Sequence, residues 1–421
     1  MHAIEKLLAA KAGVPSVHSG EIVSCAVDWA GINDLYYQTV KSFYEMGATR
    51  VAKPDRTILF FDHYAPCATE KQADNHRKFR TFAAEQGISH LMDINEGVCH
   101  QLMADHGWSH PGEIVVITDS HTTTHGAFGA FGTGVGATDM ATILATGTLW
   151  FKVPEVVRIT FTGRPGRGVY AKDVILHAIG TLKADYAVYK AVEFAGEAVA
   201  GFSVSERMAM CNMTTEMGAK TSYIQPDAVT TDFLAAKGVT DYQVYHTDDD
   251  YQYAADLTFD ASAIGPQLAA PFSVDNVAPL EALAGRHVDQ CYLGSCTGGR
   301  TEDIAVAAKM LKGKKVHSGT RMIVVPASRS VLAECIEKGY IKALMDAGAT
   351  LTAPGCAACL GIHQGLLASG EVCVSSTNRN FPGRMGSVGG EIYLGSPASV
   401  AAAALAGEIA DPREFLEGSD A

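Results

Sequence analysis

Residues 113–118 (EIVVIT) form a short run centred on Ile-Val-Val-Ile, and the run stops abruptly at Asp119-Ser120-His121-Thr122. A run this short, β-branched and bounded by polar residues reads as a strand buried on both faces. Residues 56–61 (RTILFF), 156–161 (VVRITF) and 321–326 (RMIVVP) read the same way. Helical patterns lie between them, at 69–86 and 303–311. Strands alternating with helices predict an α/β chain with largely parallel sheets. In open sheets of this kind ligands bind beyond the carboxyl ends of the strands. The polar residues after EIVVIT, and Asp62-His63 after RTILFF, therefore stand where chemistry is expected.

Working outward, 421 residues predict about three domains at roughly 150 residues each. Composition shifts near Val153-Pro154 and across 261–279, a loop-like stretch with Pro266, Pro271 and Pro279. These give expected α/β domains at 1–153, 154–270 and 271–421. The first carries Asp62-His63 and Asp119-Ser120-His121, the second Asn212 and Glu216, and the third Cys296, Cys356 and Cys359 together with the stretch 378–384 (NRNFPGR).

With 33 Lys and Arg against 46 Asp and Glu, the formal net charge is −13. That argues against a nucleic-acid partner and an anionic membrane surface. An anionic substrate would then depend on a few well-placed arginines rather than on long-range steering. No run of apolar residues is long enough to predict a membrane span, and the start reads as a short helix rather than a secretory segment. Ten scattered cysteines without an export signal predict thiols or metal ligands, in a cytoplasmic protein.

Cys356-Ala-Ala-Cys359 follows Pro354-Gly355, so a turn brings two sulfurs within reach of one metal. Cys296 sits in a run of small residues, Gly294-Ser295-Cys296-Thr297-Gly298-Gly299, where backbone N–H groups can approach an anionic group. A redox pair, a zinc site and an iron–sulfur cluster are all open to such residues. A redox pair fits a much smaller domain, and zinc wants a fourth ligand. Three thiolates would leave one iron of a cluster without a protein ligand, which suits substrate binding rather than electron transfer.

Asp119, Ser120 and His121 are consecutive and so cannot relay protons to one another as a Ser-His-Asp triad does; they enter a site as separate groups. The glycines of 125–136 lack the order of a nucleotide-binding loop and predict tight backbone packing. Asn212 and Glu216, four apart, are expected on one face of a helix. His100 falls in another helical stretch.

Together these motifs resemble the aconitase superfamily. Asp119-Ser120-His121-Thr122 with its glycines is similar to the D-S-H-T segment, 293–300 to G-S-C-T-N-G-R, 354–361 to P-G-C-x-x-C-L-G, and 376–386 (STNRNFPGRMG) to S-x-N-R-N-F-x-G-R. Residues 194–220 resemble the large subunits of the isopropylmalate dehydratase branch. The resemblance covers nearly the whole chain and implies three α/β domains with largely parallel sheets around a central iron–sulfur cleft.

It also implies a hydro-lyase acting on a small di- or tricarboxylic hydroxy-acid, with homoaconitase and dimethylmalate or citramalate dehydratase as neighbouring specificities. Cys296, Cys356 and Cys359 would hold a [4Fe–4S] cluster with one iron not ligated by protein. His63 with Asp62, His100 with Asp119, and His121 with Glu216 would be catalytic pairs, with His63 the acid. Ser120, Arg379, Arg384 and Asn33 would bind substrate, and Asn212, Asn378 and Ser295 would neighbour the cluster. The superfamily's swivelling domain with its general-base serine has no counterpart after Glu391, so a separate small subunit is the expected partner. Gly298 departs from the superfamily's usual Asn.

Overall fold

The structure, a computed structural model, describes residues 1–416. Residues 417–421, the tail of the expected third domain, lie outside the described residues. All four apolar runs are strands: Thr57–Phe60, Ile114–Ile117, Val156–Thr162 and Arg321–Val325. The helical patterns are Glu70–Gln86 and Thr301–Leu311. Local chemistry sets the first helix's limits. Thr69 accepts from Gln72 N while the Gln72 side chain returns to the cap, and Gly87 closes the far end at φ 68°. Its inner face is His76, Phe79, Phe82 and Ala83.

The chain forms two compact units. The first comprises Met1–Ile94, Leu102–Phe161 and Ala187–Phe259. Its main sheet has five parallel strands in the order His90–Met92, Thr57–Phe60, Trp29–Asn33, Ile114–Ile117, Phe131–Gly134. The three central strands are buried along their whole length. A core of Ile32, Leu59, Ile114, Val116 and Phe131 packs with Phe43, Phe79 and Phe82 from the helices. A second sheet runs Thr221–Ile224, Ala191–Ala195, Val156–Thr162, Ala255–Asp260, its first three strands parallel.

The second unit comprises Asn95–Gln101, Thr162–Tyr186 and the described residues from Asp260 onward. Its seven strands run Val277–Pro279, Gln267–Ala269, Glu391–Leu394, Val372–Ser375, Gln290–Gly294, Arg321–Val325, Thr350–Leu351. The last five are parallel. The core is Leu293, Ile304, Leu311, Val324, Val374 and the alanine-rich helix Pro397–Ala406.

One sequence expectation needs correction. Residues 261–279 are not a plain loop: Gln267–Ala269 and Val277–Pro279 pair as an antiparallel hairpin at the sheet edge. The three prolines hid it. They stand just before a strand, between the strands, and at the last position of the edge strand, and at such peripheral positions a missing N–H is tolerated.

Candidate active site

In the first unit, the parallel strands Trp29–Asn33, Thr57–Phe60 and Ile114–Ile117 are neighbours, so the residues that follow them emerge at one sheet edge. This brings together Asn33, Asp34, Asp62, His63 and Asp119. His63 Nδ1 lies 2.7 Å from Asp62 Oδ1, and its Nε2 lies 3.5 Å from Asp119 Oδ2. Asn33 Nδ2 donates to Asp119 Oδ2 at 3.4 Å, and Thr118 Oγ1 donates to Asn33 Oδ1 at 3.2 Å. Asp34 accepts from the backbone N–H of His63 at 3.1 Å and of Tyr64 at 2.8 Å. Asp34, Asp62 and His63 are all buried.

Burial alone would lower the pKa of His63. The charge and hydrogen bond of Asp62, with the charges of Asp119 and Asp34, outweigh it and raise the value to about 9. The ring therefore carries its proton at neutral pH and holds it until the pH passes about 9.

Asp119 also shapes the next turn, its Oδ1 accepting from His121 N at 2.8 Å. Residues Ser120–Phe128 form a 3-10 helix rather than an ordinary loop. The glycines after it permit this packing. A Cβ on Gly132 would lie 2.3 Å from Thr122 O, and one on Gly134 2.4 Å from Asp119 O. His121 Nε2 meets Glu216 Oε1 at 2.8 Å. Asn212 Nδ2 donates to Thr124 Oγ1 at 2.9 Å. The expectation of one continuous helix through Asn212 and Glu216 needs revision: the α-helix Val204–Met213 ends after Asn212, and Glu216 sits in the 3-10 turn Thr214–Met217. That tighter winding leads into Gly218 at φ 79°. Ser120 is exposed and accessible to a ligand.

In the second unit, the strand Gln290–Gly294 delivers Ser295, at φ 69°, and Cys296. Cys356 opens the 3-10 turn Ala357–Leu360, which carries Cys359. Asn378 joins the two segments: its Nδ2 donates to Cys296 Sγ at 3.4 Å, and its Oδ1 lies 3.7 Å from Cys359 Sγ. Arg384 Nη2 donates to Cys359 Sγ at 3.8 Å. All three cysteines are buried, and none is in a disulfide. A hydrogen bond with Cys359, then burial, push the Cys356 thiol well above its ordinary value, with the charges of Cys359 and Cys296 adding to this and Arg384 opposing it. Crowded thiols of this kind lose their protons when a metal takes up the charge. Three convergent sulfurs among N–H donors are a soft donor set that fits an iron–sulfur cluster.

Gly298 has a local reason. A Cβ there would lie 2.3 Å from Ser376 Cβ, and Ser376 Oγ donates to Gly294 O and Gly298 O at 3.2 and 3.3 Å. The Cys296 loop is thus clamped onto the strand end that leads to Asn378. Arg379, next in the chain, is partly exposed. His100 is buried near the start of the helix Cys99–Asp105, whose first residues count with the second unit, whereas Asp119 belongs to the first.

Several residues at these sites escaped the sequence reading. Asp34 follows a strand, as Asp62 does, but the strand Trp29–Asn33 (WAGIN) contains a glycine and too few β-branched residues to stand out. Buried Lys172 donates to Ser376 O and Thr377 O at 3.2 and 2.7 Å. Buried Arg300 donates to Cys296 O and, at 3.0 Å, to Gln101 Oε1. Lys172 lies in no motif and more than 200 residues before its partners, so spacing carried no signal for it, whereas Arg300 closes the motif 293–300 without its role being readable there.

Comparison with known proteins places the chain in a family. The aconitase family (aconitate hydratase) matches residues 6–286 and 281–407. The 3-isopropylmalate dehydratase large subunit 1 of Methanopyrus kandleri is 48% identical, over 98% of this chain and 99% of that protein. A probable methanogen homoaconitase large subunit of Methanosarcina mazei is 51% identical, over 92% of this chain and 99% of that protein. Among solved structures, aconitase X of Thermococcus kodakaraensis in its holo form superposes with a TM-score of 0.52 at 12% identity, covering 90% of both chains, which shows a shared fold. With the family matched across almost its full length, the chain belongs to the aconitase family.

Proposed function

We propose that the protein is the cluster-bearing large subunit of a two-subunit hydro-lyase that interconverts 2- and 3-isopropylmalate by dehydration and rehydration, in leucine biosynthesis. Membership of the aconitase family implies an iron–sulfur cluster. The single observation that carries the cluster reading is that Cys296 and Cys359 both meet Asn378 while Cys356 lies against Cys359. Those three thiolates would hold a [4Fe–4S] cluster, with Asn378, Asn212 and Ser295 as its neighbours. When bound, such a cluster with one iron lacking a protein ligand supplies a Lewis acid that weakens the substrate's C–O bond.

The chain's own residues supply the rest. His63, protonated at neutral pH, gives its proton to the departing hydroxyl and so releases water. Asp62 holds the Nδ1 side of its ring, and Asp119 lies on the Nε2 side. Arg379 and Arg384 receive the substrate's carboxylates through planar guanidinium forks. Ser120 and Asn33 contact the substrate's polar groups. His121 paired with Glu216, and His100 with Asp119, are further acid–base candidates. The proton on carbon goes to a general base, a serine on the swivelling domain of a small subunit. That partner is supported by relatives of matching length being named large subunits. We propose domains 1–153, 154–270 and 271–421, each built mainly on one of the three larger sheets, the last sheet also taking the strand Gln267–Ala269 from the segment before it, and the cytoplasm, where thiols stay reduced, as the site of action.

A second reading, homoaconitase, is favoured by the 51% identity to the Methanosarcina mazei protein. Turnover of isopropylmalate, homocitrate, dimethylmalate and citramalate by the chain with its small subunit decides between them. Turnover restricted to homocitrate would replace the first reading with the second.

A further inference from the structure

Cys67, His76 and Asp34 form a hydrogen-bonded chain that the proposed reaction does not use directly. Cys67 Sγ lies 3.2 Å from His76 Nδ1, and His76 Nε2 lies 2.9 Å from Asp34 Oδ2. His76 is buried on the inner face of Glu70–Gln86, its ring stacked on Phe61 at 4.0 Å and 13°. Cys67 is partly exposed, while the other nine cysteines are buried.

Cys, His and Asp in this order form an activated nucleophile in other settings. Here the surroundings oppose a thiolate. Burial and the charge of Asp34 raise the Cys67 pKa, with Asp93 adding to this and Arg80 countering in part. That direction favours the thiol over the thiolate, and a thiol 3.2 Å from His76 Nδ1 is placed to donate to it. A carboxylate oxygen 2.9 Å from a ring nitrogen calls for an N–H between them, so His76 Nε2 is the nitrogen that faces Asp34 as donor. Asp34 in turn accepts from His63 N, Tyr64 N and His76, which saturates much of its acceptor capacity. The orientation of this carboxylate thus fixes the backbone from which His63 projects.

We propose that His76 is a positioning residue: its Nε2–H orients the Asp34 carboxylate that holds the His63–Tyr64 backbone, and the Cys67 thiol holds His76 in the required tautomer. The proposal rests on His63 as the proton donor.

The experiment uses the holoenzyme, reconstituted anaerobically with its small subunit and assayed with 3-isopropylmalate, alongside His63→Ala as a control for that reading. His76→Gln keeps an N–H donor, whereas His76→Leu keeps apolar packing without one. His76→Leu is expected to lower kcat about tenfold or more with KM little changed, while His76→Gln stays within about threefold of the parent, since small misplacement of a reacting group is costly. A packing role would reverse that order and overturn the proposal. If His63→Ala slows turnover and both His76 variants do not, the relay fails while the proton-donor reading stands. If His63→Ala leaves turnover unchanged, the proton-donor reading fails, and with it the relay. Should His76→Leu not fold, ring 15N signals of the unaltered protein decide: a proton on Nε2 supports the relay, and a bare Nε2 with Nδ1 protonated overturns it.

Discussion

His63 is the side chain whose environment most clearly marks it for chemistry. A buried imidazole normally loses its charge, yet three carboxylates reverse that and raise its pKa to about 9. The sign gives a pH dependence. A raised histidine value means the charged form, and its contribution to stability and proton donation, is fully present below the ordinary value of about 6.5. It is lost as the pH climbs through about 9. Turnover is expected to fall on the alkaline side near that value. Asp62→Asn removes the strongest upward influence, so the alkaline limb should move to lower pH in a pH–rate profile. His63→Ala should cut kcat by about 100-fold or more, the usual contribution of a positioned acid, while iron content stays at the parent level. Asp62 and His63 were legible in the sequence because they follow an obvious apolar run. Asp34 was not, since its strand carries Gly31 where the close approach of Phe60 and Ile117 leaves no room for a side chain.

At the level of elements, strand ends and tight turns carry the site. The strands RTILFF and EIVVIT were readable because both are continuous buried runs. The hairpin at Gln267–Ala269 and Val277–Pro279 was not, because three prolines imitate a connector. The break between Asn212 and Glu216 was equally hidden, since spacing alone does not tell an α-helix from one that tightens into a 3-10 turn. Gly298 makes a prediction of its own. Gly298→Asn places a Cβ against Ser376 Cβ, and neither belongs to a flexible chain end. The Cys296 loop must shift, with iron incorporation reduced and the thermal midpoint lowered. Adding Ser376→Gly to that variant removes the atom in the way and should restore part of the iron content. A midpoint and iron content equal to the parent in the single variant would show that the loop yields freely.

For the whole molecule, each unit has its own apolar core, and chains of this size fold without a metal to hold them. Cys356→Ser should therefore abolish the cluster while leaving far-UV circular dichroism and cooperative unfolding in place. Loss of folding would give the cluster a structural role as well. Among the described residues no helix is long and apolar enough to cross a membrane. The central claim is that three thiolates hold a cluster with one iron left for substrate. Mössbauer spectroscopy of the chain reconstituted anaerobically with 57Fe and combined with its small subunit tests it most directly. A single iron site is expected to change its signal when isopropylmalate is added, and the others to stay put. A cluster whose irons all ignore the substrate, or a protein that takes up zinc in place of iron, would contradict it.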